Sequence, residues 1–237
     1  MVRDMSDLPK FRVGFLLFPD LTQLDLTGPW EVFSGMPDAE CRLIWKSAGP
    51  VVAGKGMTIL ADTAFADCPQ LDLICVPGGR GMNALLTDTQ TLDFLRRQAE
   101  GASYITSVCT GSLVLGAAGL LRGKRAASHW MSRDMLKSFG AIPVAERVVV
   151  DGNIITGGGV TAGIDFALTI VAMLKGKAFA QALQLGIEYA PSPPFDAGTP
   201  ETAPKEVVAE TLARAKGMLA ERSAEVAKAA SALQAEG

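Results

Sequence analysis

The sequence predicts an α/β fold with a mostly parallel central sheet, followed by a C-terminal helical extension. Three observations predict it. Short apolar runs at residues 11–18, 71–77 and 104–106 read as strands buried on both faces. Turn residues and helix-like segments follow them in alternation. Beyond residue 204 the chain turns rich in Ala, Glu and Lys, after a proline-rich connection around Pro191, Pro193 and Pro194. We therefore expect one catalytic domain over residues 1–198 and a helical extension over 199–237, packed on that domain or on a second subunit. Hydrophobic residues make up 49% of the 237, ample for one core.

The elements follow in order. The run 11–18 ends at Pro19-Asp20. Pro29 then suits the first position of a helix capped by Thr27 or Gly28, which places Asp25 just ahead of that helix. Residues 41–47 read as a second strand, and 51–53 with 57–62 as a hairpin around Gly54-Lys55-Gly56. The strand 71–77 holds Cys75 in its core and ends in Gly78-Gly79, which permit close backbone approach to a ligand or a tight turn. A helix is clearest over 91–98. Residues 113–121 are helix-like, and a further helix runs from His129-Trp130 through Leu136. Residues 144–150 and 153–156 pair across Asp151-Gly152. The cluster 157–163, with Gly159 and Val160, leads into an apolar helix over 164–172. It lacks a Walker lysine and GxGxxG spacing, so a tight turn near the site is favoured over a phosphate cradle.

The chemistry centres on Ser107-Val108-Cys109-Thr110-Gly111-Ser112. A cysteine between a buried strand and a helix has the setting of a nucleophile elbow. The helix N-terminus is expected to favour thiolate over thiol at Cys109, and its N–H groups to stabilise a reaction anion. The bland alternative is a small core cysteine. In a parallel sheet, ligands gather beyond the carboxyl ends of the strands. That edge is expected to hold Asp25, Gly78, Gly79, Cys109, Thr110, His129 and the 157–160 turn. A carboxyl beside a thiolate resists double ionisation, so Asp25 is expected to keep a proton and act as a general acid.

Composition narrows the classes. A net charge of −3 without a basic patch argues against nucleic acid. No apolar run reaches membrane-spanning length, and the polar residues 1–7 lack a signal-peptide core, so a cytoplasmic protein is expected. Four cysteines without CxxC spacing and a single histidine argue against a structural metal site. His129 alone can serve Cys–His catalysis within one chain, though beside Trp130 it reads better as structural.

With these residues in hand, the chain resembles the DJ-one/PfpI superfamily of class I glutamine-amidotransferase-like proteins, and within it the isocyanide hydratase branch. The segments 14–19, 23–29, 76–79, 106–121 and 156–165 carry the likeness, with Glu188-Tyr189-Ala190-Pro191, Pro193-Pro194-Phe195 and the helical tail. The resemblance implies a flavodoxin-like sandwich. It implies Cys109 as nucleophile and Asp25 as the nearby acid, a glutamate in many relatives. Gly79 and Thr110 would lend N–H groups, the Thr110 hydroxyl would bond the sulfur, and Val160 would pack on the site. It implies hydration of an isocyanide to the N-substituted formamide, without metal or organic cofactor, in a homodimer. Thr110 stands where protease-like relatives often carry histidine, which counts against peptidase or glutaminase activity. The rival readings are a glyoxalase- or deglycase-like enzyme, a sensor domain akin to those of AraC-type regulators, and a redox sensor oxidised at Cys109.

Overall fold

The computed structural model describes residues 10–236; the polar stretch 1–7 lies outside them. A seven-stranded sheet forms the centre, in the order β10-β11-β7-β6-β1-β2-β5. Its strands are β1 (Phe11–Leu16), β2 (Ala39–Trp45), β5 (Thr63–Ala64), β6 (Leu73–Val76), β7 (Tyr104–Val108), β10 (Val148–Asp151) and β11 (Ile154–Gly157). All neighbours run parallel except β10 and β11, which form the expected antiparallel pair. The hairpin β3 (Gly49–Val52) with β4 (Thr58–Ala61) stands apart, as does the short parallel pair β8 (Arg125–Ala126) and β9 (Ile142–Pro143). The helices are α1 (Gln23–Ser34), α2 (Met82–Leu85), α3 (Thr89–Gly101), α4 (Gly111–Ala117), α5 (Ala162–Lys175), α6 (Lys177–Gly186) and α7 (Lys205–Glu236). Strands β6, β7 and β11 are almost wholly buried, and in β6 this gives the unbroken apolar run Leu73–Val76.

Two local expectations are corrected. Helix α1 begins at Gln23, after Thr22, so Asp25 lies in its first turn and Pro29 in its interior. The entry of the chain fixes this start. Thr22 N–H donates to Gly78 O at 2.9 Å, and Leu21 bridges Gly79. Interior proline forgoes one helix bond, but Pro29 is buried and packs closely on Gly163 of α5. Tertiary contact overrides the local preference. The second correction concerns His129. The chain leaves it through turns, and a 3-10 helix spans only Arg133–Phe139, closed by Gly140 in the left-handed region at φ 73°.

The tail helix packs on the sheet domain. It lies against α2, α4 and the 3-10 helix and buries Arg222, Val226, Ala229 and Ala230.

Candidate active site

Strand β7 delivers Cys109 to a turn that the backbone makes sharp. Cys109 sits at φ 57°, in the left-handed region that costs a non-glycine residue of order 1 kcal/mol. The neighbourhood holds it there. Its N–H donates to Gly158 O at 2.8 Å and to Gly157 O at 3.1 Å. Its carbonyl accepts from the Ser112 and Ser128 hydroxyls, both at 3.1 Å. Helix α4 then starts at Gly111, where a Cβ would stand 2.0 Å from Val76 O. Only glycine lets α4 lie this close to the end of β6.

Asp25 reaches the same place from α1 and is fully buried. Its Oδ2 accepts from Gly78 N–H at 2.9 Å. The Cys109 thiol interacts with this carboxyl. Oδ1 has no hydrogen-bond partner among the described residues. Burial raises the Asp25 pKa to about 7, against the opposing pull of Gly78 N–H and the thiol. Burial also pushes the Cys109 thiol up, and the Asp25 charge pushes it further; the Thr110 backbone N–H and Arg222 pull the other way. The expected depression at Cys109 is thus outweighed by desolvation. The first proton lost by the pair leaves a carboxylate beside a thiol.

The glycine pair at the end of β6 is buried. A Cβ on Gly78 would stand 2.6 Å from Thr110 N and 2.9 Å from Asp25 Oδ2. Gly79 N–H donates to Thr110 Oγ1 at 3.2 Å. That bond ties Gly79 to the threonine and uses the hydroxyl oxygen as acceptor, leaving the Thr110 O–H its own proton to donate.

A cleft of about 300 Å³ opens beside the elbow. Ser128, His129, Trp130, Gly158, Gly159 and Val160 are among the residues lining it. The sequence-predicted residues therefore divide. Asp25, Gly78, Gly79, Cys109 and Thr110 form one bonded cluster, while His129, Gly159 and Val160 form the cleft wall. His129 Nδ1 accepts weakly from Met131 N–H at 3.4 Å. Burial and Arg222 lower the His129 pKa, so it is neutral at physiological pH. Among the described residues no cluster of His, Cys, Asp and Glu is arranged to hold a metal ion.

The DJ-1/PfpI family model matches residues 11–173, which includes the whole cluster. The chain belongs to the DJ-1/PfpI family. It is 56% identical over 222 residues to the isonitrile hydratase of Pseudomonas putida, across 94% of this chain and 97% of that protein. The crystal structure of a ThiJ/PfpI family protein from Pseudomonas syringae superposes with a TM-score of 0.89 at 42% identity, covering 95% of this chain and 96% of that one. A glutathione-independent glyoxalase of Caenorhabditis elegans, DJR-1.2, is 31% identical over 132 residues, 55% of this chain and 70% of its own length.

In this family member, sequence reasoning missed Ser128, Asn83, Ser132 and Arg222. Ser128 braces the elbow carbonyl. Arg222 reaches Asn83 and Ser132 from α7. The signal for it lies in the spacing Met218, Arg222, Val226, Ala229, Ala230, Leu233. An arginine occupies the buried stripe of an otherwise charged-and-alanine helix.

Proposed function

We propose that the chain is an isonitrile hydratase, which adds water to an isocyanide, R–N≡C, and releases the N-substituted formamide. The observation that carries this reading is the near-full-length likeness to the Pseudomonas putida enzyme. The enclosed Cys109–Asp25 pair supports it, because a carboxyl group with a pKa of about 7 can take and return protons near neutrality.

The mechanism assigns Cys109 as nucleophile and Asp25 as the shared acid and base. The sulfur attacks the terminal carbon of the isocyanide while its proton passes to the Asp25 carboxylate. Asp25 returns that proton to the same carbon, giving the thioimidate R–N=CH–Sγ. The restored carboxylate then takes a proton from water as its oxygen attacks that carbon. The proton goes on to nitrogen, and a tetrahedral R–NH–CH(OH)–Sγ adduct forms. The C–S bond breaks, the hydroxyl proton returns to sulfur through Asp25, and the formamide leaves. Thr110 N–H steadies the sulfur when it leaves as an anion. Gly78 N–H orients the carboxylate, and Gly159 and Val160 shape the wall against which R packs.

We further assign the chain a homodimeric state, supported by the exposed apolar side chains Met173 on α5 and Leu185 on α6. We place it in the cytoplasm, where its four free cysteines remain thiols. The division into a catalytic domain over 1–198 and an extension over 199–237 belongs to the same proposal. The deciding experiment follows loss of an aryl isocyanide and gain of its formamide with wild type, Cys109→Ala and Asp25→Asn. Turnover by wild type alone is expected. No turnover by folded wild type on several isocyanides refutes the reading.

A further inference from the structure

Arg222 is buried, with only 4% of its surface exposed. Among the described residues it pairs with no carboxylate. Its Nε donates to Asn83 Oδ1 at 3.0 Å, one terminal nitrogen to Ser132 Oγ at 2.8 Å, and the other contacts Met218 Sδ at 3.7 Å. All three acceptors are neutral. A buried guanidinium without a counter-anion is costly, so its retention needs a reason.

The geometry supplies one. The two anchors of Arg222 belong to the two segments that build the site. Asn83 follows closely on Gly78 and Gly79, which bond Asp25 and Thr110. Ser132 closes the turn from His129, its N–H donating to His129 O at 2.8 Å, and Ser128 just before it bonds the Cys109 carbonyl. The guanidinium therefore ties α2 to the turn that follows His129, and it acts electrostatically on Cys109 and His129.

We propose that Arg222 is the counter-cation of the Cys109 sulfur, a positioning residue that the C-terminal helix supplies to the site. The pair must carry a negative charge whenever it has given up its proton, and that charge is formed away from water. Backbone N–H groups offer only partial charges; Arg222 offers a whole one. Its neutral anchors leave the positive charge unspent.

Few other charges compete. Helices α2 and α4 present no ionisable side chain to α7. On the 3-10 helix, Asp134 and Lys137 pair with each other at the surface, and Arg133 lines the cleft. On α7 itself Glu221 is exposed and pairs with Arg80 at 3.2 Å. Glu225, three residues further along α7, is half-buried, and His129, on which the guanidinium acts, is neutral.

The inference rests on Cys109 as the nucleophile and not on which substrate it attacks, so its test uses alkylation. The rate of Cys109 alkylation by iodoacetamide is followed against pH in the full-length protein, with the Cys109 peptide quantified by mass spectrometry. Arg222→Gln keeps a donor and removes the charge. Its profile is expected to move to higher pH by about one unit, close to a tenfold slower reaction below the midpoint. Arg222→Lys is expected to return the profile toward wild type. Asn83→Asp keeps Arg222 and gives it a carboxylate partner; it too is expected to move the profile to higher pH while melting no lower than wild type. Glu221→Gln, which breaks only the surface pair, is expected to leave the profile in place. Profiles of folded Arg222→Gln and Asn83→Asp that overlay wild type overturn the proposal. If Arg222→Gln does not fold, Asn83→Asp decides alone. Isocyanide turnover is measured on the same wild-type sample: its absence speaks against hydratase activity and leaves the alkylation comparison standing.

Discussion

Asp25→Asn is expected to make the protein more stable as it makes it inactive, and the gain is expected to grow with pH. The carboxyl is fully buried, and burial raises its pKa on folding from the ordinary 3.8 to about 7. Between those values the unfolded chain releases the proton and the folded chain keeps it. Wild type therefore loses stability as pH rises from about 4 to about 7, and the whole loss is in place above 7. Each pH unit in this window costs about 1.4 kcal/mol. From pH 5 to pH 8 the loss is about 3 kcal/mol. Asparagine does not ionise, and its carbonyl oxygen can still accept from Gly78 N–H. Urea unfolding of wild type and Asp25→Asn at pH 5 and pH 8 measures the difference. The advantage of the variant should widen by about 3 kcal/mol at pH 8, or roughly 6–12 °C in melting temperature. A gap equal at both pH values refutes the claim that burial holds this proton in place.

Four further outcomes are expected. In the hydration assay, kcat/KM should fall as pH drops through about 7, because the first step needs the Asp25 carboxylate; a flat profile from pH 5.5 to 8 contradicts this. Cys109→Gly should be at least as stable as Cys109→Ala by urea unfolding, since φ 57° cancels the usual glycine penalty of roughly 0.5–1 kcal/mol. Thr110→Val should cost about 1–3 kcal/mol by leaving the buried Gly79 N–H without an acceptor, read by the same unfolding. Gly111→Ala should cost more than about 3 kcal/mol or fail to fold, because its Cβ meets Val76 O at 2.0 Å; soluble yield and melting temperature check it.

Much of this site is legible in the sequence because it lies where strands end. Gly78-Gly79, Cys109-Thr110 and Gly157–Gly159 each follow a buried apolar run, and a parallel sheet gathers such endings on one edge. The start of α1 was not legible. It is set by Thr22 pairing with Gly78, a contact between residues far apart in the chain, and local preference at Pro29 points elsewhere. The protonation of Cys109 is hard to read from the sequence for a similar reason. A helix terminus is visible in sequence, but the enclosure that outweighs it arises only when α1, β6 and β11 close around the sulfur. Arg222 was invisible because its partners Asn83 and Ser132 carry no charge to match it.

The origin of that arginine orders events during synthesis. The thiol at position 109 leaves the ribosome more than a hundred residues before Arg222. The sheet and elbow can form in that interval while the cation is still unmade. Until that helix docks, Asn83 and Ser132 stand without the guanidinium that ties them together, so the last turn of synthesis also joins the two segments they belong to.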